Sequence, residues 1–203
     1  GVLTMENLVA DGRIHPAKIE ELYEKACRTI GEKMRDAAEQ ATFETGIHDL
    51  KPELQQTLGR LLYRTSYSQN VLQHSVEVAH LAGMLASELG LDPYQAKRAG
   101  LLHDIGKIRE KHEQRFHGVL GYEMLKEENA DVARACLVHT FPFNRLESFE
   151  HCRKMFFDRR EDYETTAAFI RSHPLNDYDL LVQMADGLAN AYGLVTIEER
   201  AAE

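Results

Sequence analysis

LLHDIGK, residues 101–107, runs two leucines straight into an imidazole and a carboxylate, breaks at Gly106 and ends on Lys107. The stretch closes the segment PYQAKRAGLLHD, whose spacing predicts a helix capped by Asp92 with Pro93 in its first turn. An aspartate at a helix C-terminus opposes the helix dipole. The bland reading of His103 and Asp104 is a solvated helix end. A bound cation gives a different one, because it makes both the carboxylate and the negative helix end favourable. Imidazole nitrogen beside carboxylate oxygen suits Mn, Fe, Zn, Ni or, less well, Mg.

Outward from this stretch, helical periodicity runs through the chain. Ile19, Leu22, Tyr23, Ala26, Ile30, Met34, Ala37 and Ala41 recur at three- and four-residue steps, predicting a helix over 16–45 that opens on Pro16 and stops at Gly46. A second helix is expected over 52–63. The polar joint RTSYSQN (64–70) precedes a strongly apolar helix ending at Gly90. Further helices are expected at about 117–128, 130–139, 160–172 and 177–192. Strand signals are nearly absent. The segment 141–162 mixes aromatics with charge and is compatible with a helix, a lid or an irregular insertion. The expectation is an all-α chain, a helical arm at 1–63 followed by a compact helical bundle at 64–203.

Composition narrows the function classes. The chain has 203 residues, enough to bury a full core without disulfides or structural metal. No run approaches the length of a membrane-spanning helix. The 3 cysteines, Cys27, Cys136 and Cys152, have no CxxC spacing and suggest free thiols in a reducing cytoplasm. A net charge of −9 argues against a large phosphate-gripping surface. Lys97, Arg98, Arg109, Lys111 and Arg115 are candidates for a local basic rim that steers anions, although Glu110 and Glu113 dilute it.

Two adjacent ligands do not hold a catalytic metal, so more must come from elsewhere. Asp186, within LLVQMADGLANAY, is a carboxylate in a helix too apolar to carry it without a partner or an ion. His74, within VLQHSVEVAH, alone reads as a hydrogen-bonded core histidine and gains weight only with His103, Asp104 and Asp186. His80 lies about 240° round the helix from His74 and cannot share its face. Cys136, three residues before His139, reads as a small buried hydrophobe.

The order H … HD … D, with HDIGK at its centre, resembles the HD superfamily of metal-dependent phosphohydrolases. MENLVADGRIHPAKIEELYEKA, EQATFETGIHDLKPEL, LGRLLYRTSYSQNVLQHSVEVAHLAGMLASELGLD and AKRAGLLHDIGK are moreover similar to the catalytic region of the ribonuclease Y family, over about residues 5–107. The remainder looks more like a generic HD-domain hydrolase, with FHGVLG supplying His117 and ARACLVHT supplying His139. The resemblance implies that His74, His103, Asp104 and Asp186 bind one divalent metal. It implies that Asp104 bridges to a second, completed by His117 and His139. Such ions clamp phosphoryl oxygens and ready a water for attack, with Asp104 and Lys107 in catalytic roles and the Lys107 ammonium meeting a phosphate oxygen.

The first functional expectation is therefore phosphodiester cleavage in RNA. The second keeps the enzyme class but takes a nucleotide or other small phosphate ester, with Phe141, Phe143, Phe156 and Phe157 as candidate walls of a base pocket. The third is a non-catalytic metal-binding scaffold that forms a homodimer through its N-terminal helices.

Overall fold

The computed structural model describes residues 2–12, 15–141, 159–190 and 193–194. Phe143, Phe156, Phe157 and most of the 141–162 segment lie outside the described residues. The helices are α1 (Val2–Asp11), α2 (Pro16–Thr45), α3 (Pro52–Arg60), α4 (Val71–Glu88), α5 (Pro93–Leu102), α6 (Lys107–Glu113), α7 (His117–Leu125), α8 (Ala130–Val138), α9 (Arg160–Ser172) and α10 (Asp177–Leu188). A 3-10 turn, Leu61–Tyr63, follows α3. The all-α expectation holds. Two two-residue hairpins interrupt it: β1 (Thr65–Ser66) with β2 (Gln69–Asn70), and β3 (Ala189–Asn190) with β4 (Gly193–Leu194). No helix among the described residues is long and apolar enough to cross a membrane.

Local chemistry sets the boundaries. Pro16, Pro52 and Pro93 sit in first turns, where a missing N–H costs nothing. Gly46 takes a φ of 74° and sends its N–H back to the Phe43 carbonyl, ending α2. The Asp92 side chain accepts from the Tyr94 N–H at 2.9 Å. Asn70 caps α4 by accepting from the Leu72 and Gln73 N–H groups, while its own amide donates to the Leu62 carbonyl at 2.7 Å. A capping box, Asn176 with Asp179, opens α10. The sequence alone does not predict α6, and α10 stops short of residue 192 because Ala189 and Asn190 pair with residues 193–194.

The main core crosses the expected boundary at residues 63 and 64. Ala41, Ile47, Leu54, Leu58 and Leu61 share it with Val71, Leu72, Leu101, Leu102, Ile105, Val132 and Val182. A second cluster gathers Phe116, Val119, Leu137, Val138, Phe141 and Ile170, so Phe141 is core. A third, built from Val78, Ala82, Ala86, Ala96, Leu181 and Ala185, joins α4, α5 and α10 through small residues. At Gly100 a Cβ would stand 2.9 Å from the Ala79 Cα, so α4 and α5 approach closely and present His74 and His103 to one another.

Gly106 is the tightest point near the HD stretch. A Cβ there would lie 1.9 Å from the His117 carbonyl oxygen and 2.6 Å from the Gly121 nitrogen, both backbone atoms that cannot step aside. Gly106→Ala is expected to cost about 3 kcal/mol or more in urea unfolding. Gly31→Ala, in the interior of α2 with nothing near the added methyl, is expected to hold or raise stability by up to about 1 kcal/mol.

Candidate metal centre

Five helices and their ends bring His74, His103, Asp104, His117, His139 and Asp186 together. His103 follows the last residue of α5, and His139 follows the last residue of α8. Both helices therefore aim the negative end of their dipole at the same point. His117 is the first residue of α7, His74 lies one turn into α4, and Asp186 lies in the last turn of α10. His74 and Asp186 are separated by most of the chain, yet the His74 Nε2 stands 2.9 Å from the Asp186 Oδ1.

The protonation of three of these rings follows from their outer partners. The His103 Nδ1 faces the Gly100 carbonyl at 2.7 Å and the His139 Nδ1 faces the Cys136 carbonyl at 2.9 Å. A carbonyl oxygen only accepts, so each Nδ1 carries the proton. The His117 Nδ1 faces the Glu110 carboxylate at 3.2 Å and donates likewise. In the neutral rings all three Nε2 atoms are then bare lone pairs, and all three point inward. The His117 and His139 Nε2 atoms are 3.3 Å apart, and each lies 3.5 Å from the Asp104 Oδ1. The His103 Nε2 lies 3.4 Å from the Asp104 Oδ2 and 3.7 Å from the Asp186 Oδ1.

Acceptors facing acceptors repel, and burial makes that repulsion costly. The His103 Nε2 and Asp104 Oδ1 are buried without a hydrogen-bond partner. This donor set fits a divalent cation: three groupings of these side chains converge within ligating reach, namely His74 with His103 and Asp104, His103 with His139 and Asp186, and Asp104 with His117 and His139.

Electrostatics keeps the carboxylates ionised. Burial alone would raise the Asp104 carboxyl, but His103 and Lys107 outweigh it and hold it well below the usual carboxylate range. Burial also works against the Asp186 charge, yet the His74 hydrogen bond brings it down to about 2. Burial would lower the Lys107 ammonium; Asp104, which accepts its hydrogen bond at 2.7 Å, raises it instead. Burial pushes the His117 ring down and so keeps its Nε2 lone pair free, despite the Glu110 carboxylate.

The six expected ligands and Lys107 are thus neighbours. Cys136 is not in the cluster: its buried thiol donates to the Leu102 carbonyl, and burial pushes its pKa far up. The expected basic rim is neutralised at its arginines. Arg98 is buried against Asp49 and Glu128, Arg109 pairs with Glu113, Arg115 pairs with Glu123 and Asp162, and Lys97 lays its stem over Gly83. Glu110 went unrecognised in the sequence, where it reads as one more charge on a solvated helix. The only signal is that it sits seven residues before a candidate ligand. By fixing the ring and tautomer of His117 it raises the basicity of the inward nitrogen. Glu110→Ala is expected to weaken Mn²⁺ binding about 10-fold to 100-fold in calorimetric titration while leaving the thermal midpoint of the metal-free protein nearly unchanged.

Comparison with known proteins agrees with this geometry. An HD domain family model matches residues 71–191. Ribonuclease Y of Alkaliphilus metalliredigens is 54% identical over 139 residues, covering 68% of this chain and 29% of that protein. Ribonuclease Y of Clostridium tetani is 43% identical over 192 residues, covering 94% of this chain and 36% of that protein. Ribonuclease Y of Clostridium botulinum (strain Langeland) is 55% identical over 139 residues, 68% of this chain and 27% of that protein. The likeness therefore runs well past residue 107, and the chain spans about a third of the length of these relatives. No solved structure matches it. With its histidines and aspartates drawn to one buried point and the family model laid across the same helices, the chain belongs to the HD domain family.

Proposed function

We propose that this chain is a metal-dependent phosphohydrolase that cleaves phosphodiester bonds in RNA. The observation that carries the reading is the convergence of three inward imidazole lone pairs on the buried Asp104 carboxylate, an arrangement that is repulsive until divalent cations enter it. His74, His103, Asp104 and Asp186 would hold one ion; Asp104, shared, would hold a second with His117 and His139. Two such ions neutralise phosphoryl oxygens and lower the pKa of water, which is the chemistry that phosphoester hydrolysis needs.

The protein's own groups do the rest. Asp104 keeps both carboxylate oxygens ionised in a buried position and ties the two groupings together. Lys107, cationic and with 16% of its side chain exposed, would meet a phosphate oxygen through its Nζ. Asp186 is the most exposed of the six, with 28% of its side chain open. RNA as substrate is supported by the likeness to the ribonuclease Y proteins. A second reading, a nucleotide or another small phosphate ester, draws support from the net charge of −9 and from the neutralised arginines, which leave little for a long polyanion to grip.

In the same reading residues 1–63 form an arm, rooted in the shared core through Ala41, Ile47 and Leu54, on a hydrolytic unit at 64–203. The arm carries the contact of a homodimer: Val2, Met5 and Val9 line up on the outer face of α1, each more than half exposed. Sedimentation of the full chain is expected to give a dimer that Met5→Lys with Val9→Lys returns to monomer; a monomeric parent chain rules the contact out.

With Mn²⁺ the chain is expected to cleave single-stranded RNA, with Asp104→Asn at least about 1000-fold slower. Cleavage of mononucleotides but not RNA would favour the second reading, and tight metal retention with no turnover of either would leave a scaffold.

A further inference from the structure

The joint RTSYSQN forms a turn that its own residues do not favour. Thr65 pairs with Asn70 and Ser66 with Gln69, leaving a two-residue loop of Tyr67 and Ser68. Both loop residues have positive φ, 47° at Tyr67 and 65° at Ser68. That pattern suits Asn and Gly in tight hairpins, and it costs any other side chain backbone energy. Neither residue recovers the cost by burial: both are exposed, and Tyr67 at 89% is the most open of the large hydrophobic residues described. A costly turn therefore holds an aromatic ring out in water.

The hairpin is fastened beside the metal centre from both sides. On one side the Gln69 side chain donates to the Ala189 carbonyl at 3.5 Å, one turn beyond Asp186. On the other the Arg64 Nη2 donates to the Ile108 carbonyl at 2.7 Å, next to Lys107. Asp186 and Lys107 are the most exposed side chains of the cluster. At its base Asn70 caps α4, and His74 follows one turn on. The ring of Tyr67 is thus carried on a support tethered to the chain beside Asp186 and Lys107.

Arg64 differs from the arginines that are locked in ion pairs. Arg98, Arg109, Arg115 and Arg134 are each paired with carboxylates. Arg64 is held by a backbone carbonyl, and among the described residues no carboxylate stands within ion-pair distance of it. Its charge is oriented but not neutralised, in a protein whose net charge is −9.

We propose that the hairpin at 65–70, with the adjoining Arg64, docks a single-stranded RNA beside the metal centre, with Tyr67 stacking on a base and Arg64 meeting a phosphate of the same strand. A ring on a fixed support loses little freedom when a base covers it, and stacking accepts any base, so the hairpin contributes affinity and register without reading sequence. A guanidinium already oriented by the Ile108 carbonyl offers its remaining N–H groups to phosphate oxygens. This inference rests on RNA as the substrate, and its test separates the two.

The metal-free chain is titrated with a short single-stranded RNA carrying 2-aminopurine at successive positions, followed by anisotropy and by quenching of the fluorescent base. Quenching at one or two positions is expected. Tyr67→Ala should weaken binding roughly tenfold and abolish the quenching, and Tyr67→Phe should keep both. Arg64→Gln should reduce the slope of log affinity against log salt by about one. Ser68→Gly should relax the turn and leave binding intact. Equal binding and equal quenching by Tyr67→Ala and the parent chain overturn the proposal, even where the Mn²⁺-loaded parent cleaves RNA. Loss of binding in Tyr67→Ala while the Mn²⁺-loaded parent leaves RNA uncut upholds the docking site and removes the nuclease reading alone. No RNA binding by the parent chain overturns the docking site outright.

Discussion

Everything near the centre of this protein answers to one constraint: the Asp104 carboxylate is almost wholly buried and still ionised. An isolated charge in that position would be prohibitively costly, so positive partners must stand around it. Lys107 is the permanent one, three residues on and within hydrogen-bond reach. The remaining space around the carboxylate is filled by imidazole nitrogens whose own protons are committed outward. Fold and site share this requirement. The backbone must turn sharply between α5 and α6 to put residues 103, 104 and 107 round one point, and the absence of a side chain at Gly106 is what lets that turn lie against α7.

Charge pairs elsewhere serve the same geometry at a distance. Arg98, buried between Asp49 and Glu128, ties the loop after α2 to the approach to α8. Arg134 does the same between α8 and α10: its guanidinium grips Asp179, the residue that also closes the capping box, and donates to the Pro174 carbonyl. The Arg134–Asp179 pair is largely dry, and breaking such a pair costs far more than a surface bridge would suggest, whereas Asp49 beside Arg98 stays open to water. They set the spacing of the helices that deliver His139 and Asp186. The arginines are therefore architecture, and the acidic surface keeps its sign.

Much of this was legible in the sequence because it is written in short-range signals. Pro16, Gly46, Asp92 and Pro93 mark helix limits by backbone chemistry that depends on no neighbour, and they stand where expected. Asp186 betrayed itself by being charged on an apolar helix, and HD by ending one. What stayed hidden depends on the third dimension. Glu110 differs from any other helix glutamate only in facing the His117 ring. Arg98 and Arg115 look like surface cations until their carboxylates, tens of residues away, are brought to them. The hairpin at 65–70 carries no Asn or Gly in its loop, so the usual dipeptide signal is missing and the turn is imposed by its anchors instead.

The matched ends of α5 and α8 carry a mechanical implication. His103 and His139 each bond back to the carbonyl three residues earlier, so each ring is part of the final coil of its own helix. Neither coil can unwind without withdrawing a nitrogen from the centre. Two ions joined through Asp104 would act as a rivet through both helix tips, and local opening at either tip would be felt at the other. Slow backbone amide exchange over residues 99–102 and 135–138 would then report occupancy as directly as any signal from the ion itself.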